Sequence, residues 1–134
     1  MTKSSCIRLT DKNFKEEVLE SKIPVFVDFW GSWCPPCKMM EPVMEELAKE
    51  FAGKVKVGKL NVDQNPKIRS MFTISAAPTF IVFKYGKVMG RSIGSMSKRQ
   101  LLEMIGAALA EVKEKQEIVA VNNTKSSAPN VNNI

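Results

Sequence analysis

The run Val25-Phe26-Val27-Asp28-Phe29-Trp30 constrains this chain more than any other stretch. Apart from Asp28 it is apolar throughout, with no alternation of polar and apolar residues. A strand of that kind is buried on both faces, as at the centre of a largely parallel sheet. Such a sheet must be covered on both sides, so an α/β architecture is expected. With 134 residues there is room for one hydrophobic core and not for two ordinary ones.

The flanking segments fit this frame. Residues 5–9 (SCIRL) alternate as a short strand, and Thr10 or Asp11 caps a helix over about 11–21 that carries Phe14, Val18 and Leu19. After Trp33-Cys34-Pro35-Pro36-Cys37 a helical stripe of Met40, Val43, Met44, Leu47, Ala48 and Phe51 runs towards Gly53. Pro42 sits inside that stripe without the N–H that would bond the Lys38 carbonyl, so a kink is expected there. Residues 55–63 read as another strand, and 64–72 as a short irregular helix. Strands at 79–83 and 87–94 flank Tyr85-Gly86 as a hairpin. Ser97 opens a last helix with the stripe Leu101, Met104, Ile105, Ala108, Leu109 and Val112.

The expected order is βαβαββα with a short extra helix, giving a mixed central sheet flanked by helices on both faces. Residues 1–115 form the expected domain. Residues 116–134 are expected to be a polar tail that cannot repay the entropy of ordering.

The chemistry concentrates at residues 33–37. Cys34 ends a strand and opens a helix, where unpartnered N–H groups and the positive end of the helix dipole favour thiolate over thiol. An ordinary thiol is only a few per cent ionised at neutral pH; a fall of about 1.5 pKa units, worth about 2 kcal/mol, makes it roughly half thiolate. Cys37, three positions on, can close a ring with Cys34. Cys34 then attacks a substrate disulfide and Cys37 resolves the mixed disulfide. Pro35 and Pro36 occupy early helical positions where a missing N–H costs least, and they stiffen the loop. Trp33 offers a flat apolar surface beside the attacking sulfur.

Asp28 interrupts the apolar strand on the face shared by Phe26 and Trp30. Burial should raise its pKa and let it pass protons to Cys37. Lys59, alternating with Val55 and Val57, is a candidate partner. The plainer alternative places both charges at strand ends, in water.

Other function classes fit less well. Three cysteines and no histidine exclude a mixed Cys/His zinc site and a Cys-His nucleophile pair, so no metal is expected. The formal charge of +6 is spread among acidic residues, and the ten aromatics (2 Trp, 1 Tyr, 7 Phe) fall mostly in apolar runs, so no nucleic-acid site is expected. Nothing approaches the length of a membrane helix, and the first fourteen residues lack a signal-peptide core; a cytoplasmic protein is expected. Cys6 is expected to pack as a small hydrophobe.

With these residues in place, the chain resembles the thioredoxin family over about residues 7–110. The matching stretches are VDFWGSWCPPCK, Pro42, KVKVGKLNVDQNP, AAPTFIVFKYGKV and Gly94. The resemblance implies the thioredoxin fold, and a monomeric protein-disulfide reductase that binds no cofactor. It would be recycled by a thioredoxin reductase drawing on NADPH, and its targets would be disulfide-containing proteins. It also implies a cis Pro78 facing the cysteines, with the Ala77 backbone pairing with substrate. Asp28 and Lys59 would match the buried acid and its lysine. Trp33, Pro35, Pro36, Ala77, Pro78, Thr79 and Gly94 would form the substrate-binding surface. Two departures stand out: Pro35 replaces the commoner Gly, and Ala77 the commoner Ile. Two other readings of the same residues are a binding module with dispensable thiols and an oxidase or isomerase of an oxidising compartment.

Overall fold

Strands β1 (Ile7–Leu9), β2 (Val25–Trp30), β3 (Lys56–Asn61), β4 (Thr79–Lys84) and β5 (Lys87–Ile93) form one mixed sheet in the order β1-β3-β2-β4-β5. The computed structural model describes residues 5–122, and side chains as far as residue 110. Both β1 and β2 run parallel to β3, whereas β4 runs antiparallel to β2 and β5 antiparallel to β4. The expected α/β fold with a mixed sheet is the one observed.

β2 is central, and both of its faces are covered. Val25, Val27 and Phe29 pack with Leu9, Phe14, Val18, Leu60, Ile81 and Phe83 on one side. Phe26 packs with Met40, Met44, Leu47, Val57, Phe80, Leu101 and Ile105 on the other. The first side is closed by rings, with Phe14 lying 5.7 Å from Phe83 and 5.5 Å from Phe72. On the second, Phe26 stacks on Phe80 at 5.7 Å.

Helices α1 (Pro35–Met39) and α2 (Glu41–Glu50) replace the single kinked helix expected after the cysteines. The break falls at Met40, two residues before Pro42. Because Pro42 cannot donate to Lys38, the chain tightens just upstream, and the Met40 N–H bonds the Cys37 carbonyl at 3.1 Å. Met44 N–H to the Met40 carbonyl, at 2.9 Å, resumes the helical ladder.

The helix expected over 11–21 is shorter and wider, a π-helical turn over Lys15–Leu19 whose Glu20 N–H reaches back to the Lys15 carbonyl. The two candidate caps separate. Thr10 Oγ1 accepts from the Asn13 N–H of its own turn. The Asp11 carboxylate instead accepts from the Lys67 and Ile68 N–H groups, at 3.2 and 2.9 Å, and so caps α3 (Pro66–Met71) across the sheet end.

The hairpin turns at Tyr85 (φ 54°) and Gly86 (φ 76°), the left-handed pair that suits a two-residue β-turn. A Cβ on Gly86 would lie 2.8 Å from the Leu19 carbonyl oxygen, so this corner packs too closely for a side chain. Ser97 and Gln100 cap α4 (Lys98–Asn122) reciprocally: Ser97 Oγ accepts the Gln100 N–H at 3.1 Å and Gln100 Oε1 accepts the Ser97 N–H at 2.9 Å. Leu101, Ile105 and Ala108 of α4 are buried as the stripe requires, and Val112 lies beyond the described side chains. The expected domain end at 115 falls within α4, which continues to Asn122; residues 123–134 of the expected tail lie outside the described residues.

Candidate active site

Cys34 and Cys37 face each other at the C-terminal end of β2, where the chain turns into α1. They are joined as a disulfide, with Cα atoms 5.3 Å apart. Cys34 is the N-cap of α1, and its Sγ accepts the Cys37 backbone N–H at 3.2 Å. That amide is one of the donors a helix leaves unsatisfied at its start, and it is aimed at the sulfur that would carry negative charge in the dithiol form. Pro35 and Pro36 take the first two helical positions, so no other early N–H competes for it. Both sulfur residues are buried in this oxidised state, while Pro35 and Pro36 are exposed beside them.

The segment before β4 meets the pair from across the sheet. The Ala77-Pro78 bond is cis, and Cys34 Sγ lies 3.5 Å from the Ala77 carbonyl oxygen. Gly94 (φ 97°) donates its N–H to the Pro78 carbonyl at 2.8 Å, which ties the end of β5 to this loop. Thr79 is placed differently from a substrate contact. It is fully buried, and its hydroxyl donates to the Ala76 carbonyl at 2.6 Å, so it shapes the loop from beneath. Trp33, Met39, Met71 and Ile93 are large apolar side chains left in water. Met39, Met71 and Ile93 were not singled out in the sequence, because an apolar residue next to a buried stripe gives no sign of facing outward.

Asp63 was also missed. Its two carboxylate oxygens accept from Trp33 Nε1–H and from the Ser32 N–H, each at 3.2 Å, and pin the loop that carries Cys34. Asn61 supports the same loop by donating from Nδ2 to Ser32 Oγ at 3.0 Å. The only local hint was that Asp63 opens the Asp63-Gln64-Asn65-Pro66 stretch after a strand, where polar loop residues cluster.

Asp28 shares the second face of β2 with Phe26, the face covered by Met40 and Met44. It is 1% exposed, and neither carboxyl oxygen has a hydrogen-bond partner. Burial in an apolar environment disfavours the charged form and pushes its pKa up to about 7; Lys59 works against this and Glu41 with it. The expected Asp28–Lys59 pair is realised as strand neighbours in register, but not as an ion pair. Lys59 Nζ bonds Glu41 Oε2 instead, at 3.2 Å, and lies over the Trp30 ring at 5.2 Å from its centre. The alternative that Asp28 sits in water is excluded by its burial.

Cys6 is half-buried against the second core. Burial and Glu45 push its thiol up to about 12, so the protonated form is favoured at neutral pH. Among the described residues no cluster of His, Cys, Asp or Glu could hold a metal ion.

Residues 5–107 match the family model for thioredoxin. The thioredoxin of Rickettsia felis is 48% identical over 101 residues, covering 75% of this chain and 96% of that protein. A protein named thioredoxin 1 from a Nostoc species is 42% identical over 102 residues, covering 76% and 95%. The thioredoxin of Buchnera aphidicola from Acyrthosiphon pisum is 44% identical over 99 residues, covering 74% and 92%. With a redox-capable cysteine pair at the end of the central strand and this match over most of its length, the chain belongs to the thioredoxin family of thiol–disulfide oxidoreductases.

Proposed function

We propose that the protein reduces disulfides in target proteins, with Cys34 attacking and Cys37 resolving. In the dithiol form the Cys34 thiolate attacks one sulfur of a target disulfide. A Cys34–target bond forms, the target S–S bond breaks, and the first target sulfur leaves as a thiolate. Cys37, having lost its proton, then attacks Cys34 Sγ. The Cys34–Cys37 disulfide forms and the second target sulfur is released, so that two electrons pass from the pair to the target.

The observation that carries this reading is the Cys37 N–H held 3.2 Å from Cys34 Sγ. It supports Cys34 as the sulfur whose anion is favoured, and hence as the attacking one. Asp28 is the proton acceptor and donor for Cys37, and Lys59 modulates it from the neighbouring strand. Trp33, Pro35, Pro36, Ala77, Pro78 and Gly94 receive the target chain, while Thr79 holds that loop in shape. A thioredoxin reductase drawing on NADPH returns the dithiol. The protein works as a monomer in the cytoplasm, where exchange systems keep thiols reduced; no helix among the described residues is long and apolar enough to cross a membrane.

Insulin disulfide reduction with NADPH and a thioredoxin reductase tests the assignment. Cys34→Ser should abolish turnover, and Cys37→Ser should accumulate mixed disulfides visible on a non-reducing gel. Turnover retained by Cys34→Ser would remove Cys34 as the attacking group.

A further inference from the structure

Asp28 and Lys59 pair in register on adjacent parallel strands, yet the ammonium does not bond the carboxyl beside it. Lys59 Nζ is drawn towards the first residue of α2, where Glu41 Oε2 receives it at 3.2 Å. The physical choice is clear from exposure. The Glu41 side chain is 55% exposed and that of Lys59 21%, so their pair keeps part of its hydration. A direct bond to the fully buried Asp28 would strip the ammonium of water, a desolvation that its attraction to the carboxylate need not repay. The face of Trp30 further favours the outward position.

We propose that Glu41 is a positioning residue whose carboxylate holds the Lys59 ammonium off Asp28, so that this buried carboxyl can take a proton from Cys37 and return it. This rests on the proton role given to Asp28 above. A carboxylate locked to Lys59 would be a weak base, whereas one left without a partner in a dry site binds a proton near the working pH. Both consequences of Glu41 act in the same direction, since its own charge also opposes ionisation of Asp28.

The groups facing Asp28 are few. β3 contributes Lys59, α2 contributes Glu41, and the segment before β1 contributes the Cys6 thiol, itself coupled to Glu45. β4 presents Phe80 directly opposite Asp28, and α4 brings Leu101 and Ile105 to this face, all of them apolar. Among the described residues, only Glu41 and Lys59 therefore combine a permanent charge at neutral pH with a direct effect on Asp28.

Carboxyl-carbon NMR of Asp28 in the oxidised protein reads the effect directly, in the wild type, Glu41→Gln, Lys59→Met and the double variant. Glu41→Gln should lower the titration midpoint by about one pH unit, and Lys59→Met should raise it by a similar amount. In the Lys59→Met background the Glu41→Gln shift should fall to less than about half, because the cation it releases is gone. An unmoved midpoint in Glu41→Gln, or an equal shift in both backgrounds, would overturn the proposal. The pH profile of mixed-disulfide resolution by Cys37 gives the second readout and should move with the titration. A shifted titration with an unmoved rate profile would instead overturn the proton role of Asp28, leaving Glu41's hold on Lys59 intact.

Discussion

The two faces of β2 carry the same kind of residue in alternation and are put to different uses. On one, Val25, Val27 and Phe29 meet rings and branched side chains, and no charge interrupts them. On the other, Phe26 is followed by Asp28, a buried carboxyl with two unpartnered oxygens. The first face supplies stability. The second gives some of it up to keep dry the carboxyl proposed above as the proton carrier. A single strand can do both because side chains two residues apart share a face and neighbours do not.

The sharpest way to break this contrast is to damage the stabilising face alone. Phe29→Ala should cost about 3–5 kcal/mol, read as a shift in the urea midpoint of the oxidised protein, because it empties ring-sized volume where Phe14 and Phe72 now pack. Insulin reduction per folded molecule should change little.

Asp28→Asn works in the opposite direction. The pKa of Asp28 is raised from 3.8 to about 7 on folding. Between those values the native state keeps a proton that the unfolded chain has lost, so stability falls as pH rises through this window and levels off above it. The asparagine variant lacks this slope. The two proteins should have similar stability near pH 4. At pH 8 the variant should be more stable by up to about 4 kcal/mol, while its Cys37 step slows. Denaturation curves at the two pH values check this, and a variant no more stable at pH 8 would remove the cost assigned to that face.

The smallest effect is expected at the rim. Asp63→Asn keeps the side-chain shape but turns one of two acceptors into a donor that faces an N–H. It should cost about 1 kcal/mol of stability and raise KM for insulin more than it lowers kcat, by loosening Trp33 and Ser32. Steady-state kinetics separates the two parameters.

Much of this was legible along the chain. The apolar run at 25–30 required a central strand, the Cys34–Cys37 spacing required a ring at a helix start, and Tyr85-Gly86 between two strand patterns required a hairpin. Asp28 could be singled out because a carboxylate in an apolar run is costly wherever the run is buried. Other features stayed hidden for one physical reason: their partners are far apart in sequence. Asp11 reads as a cap for its own helix and instead caps α3, more than fifty residues on. Asp63 reaches Trp33 thirty residues back. Thr79 follows Pro78 in the motif but turns inward, a choice made by the Ala76 carbonyl beneath it.

The sequence by itself determined the order of elements, the strand that must be central and the pair of sulfurs that must meet, because periodicity and a three-residue spacing act through local geometry. Only the tertiary structure decided where Lys59 sends its charge, which large apolar side chains are left in water and which helix Asp11 caps. Those outcomes depend on hydration and on distances across the sheet, and no local pattern of residues encodes them.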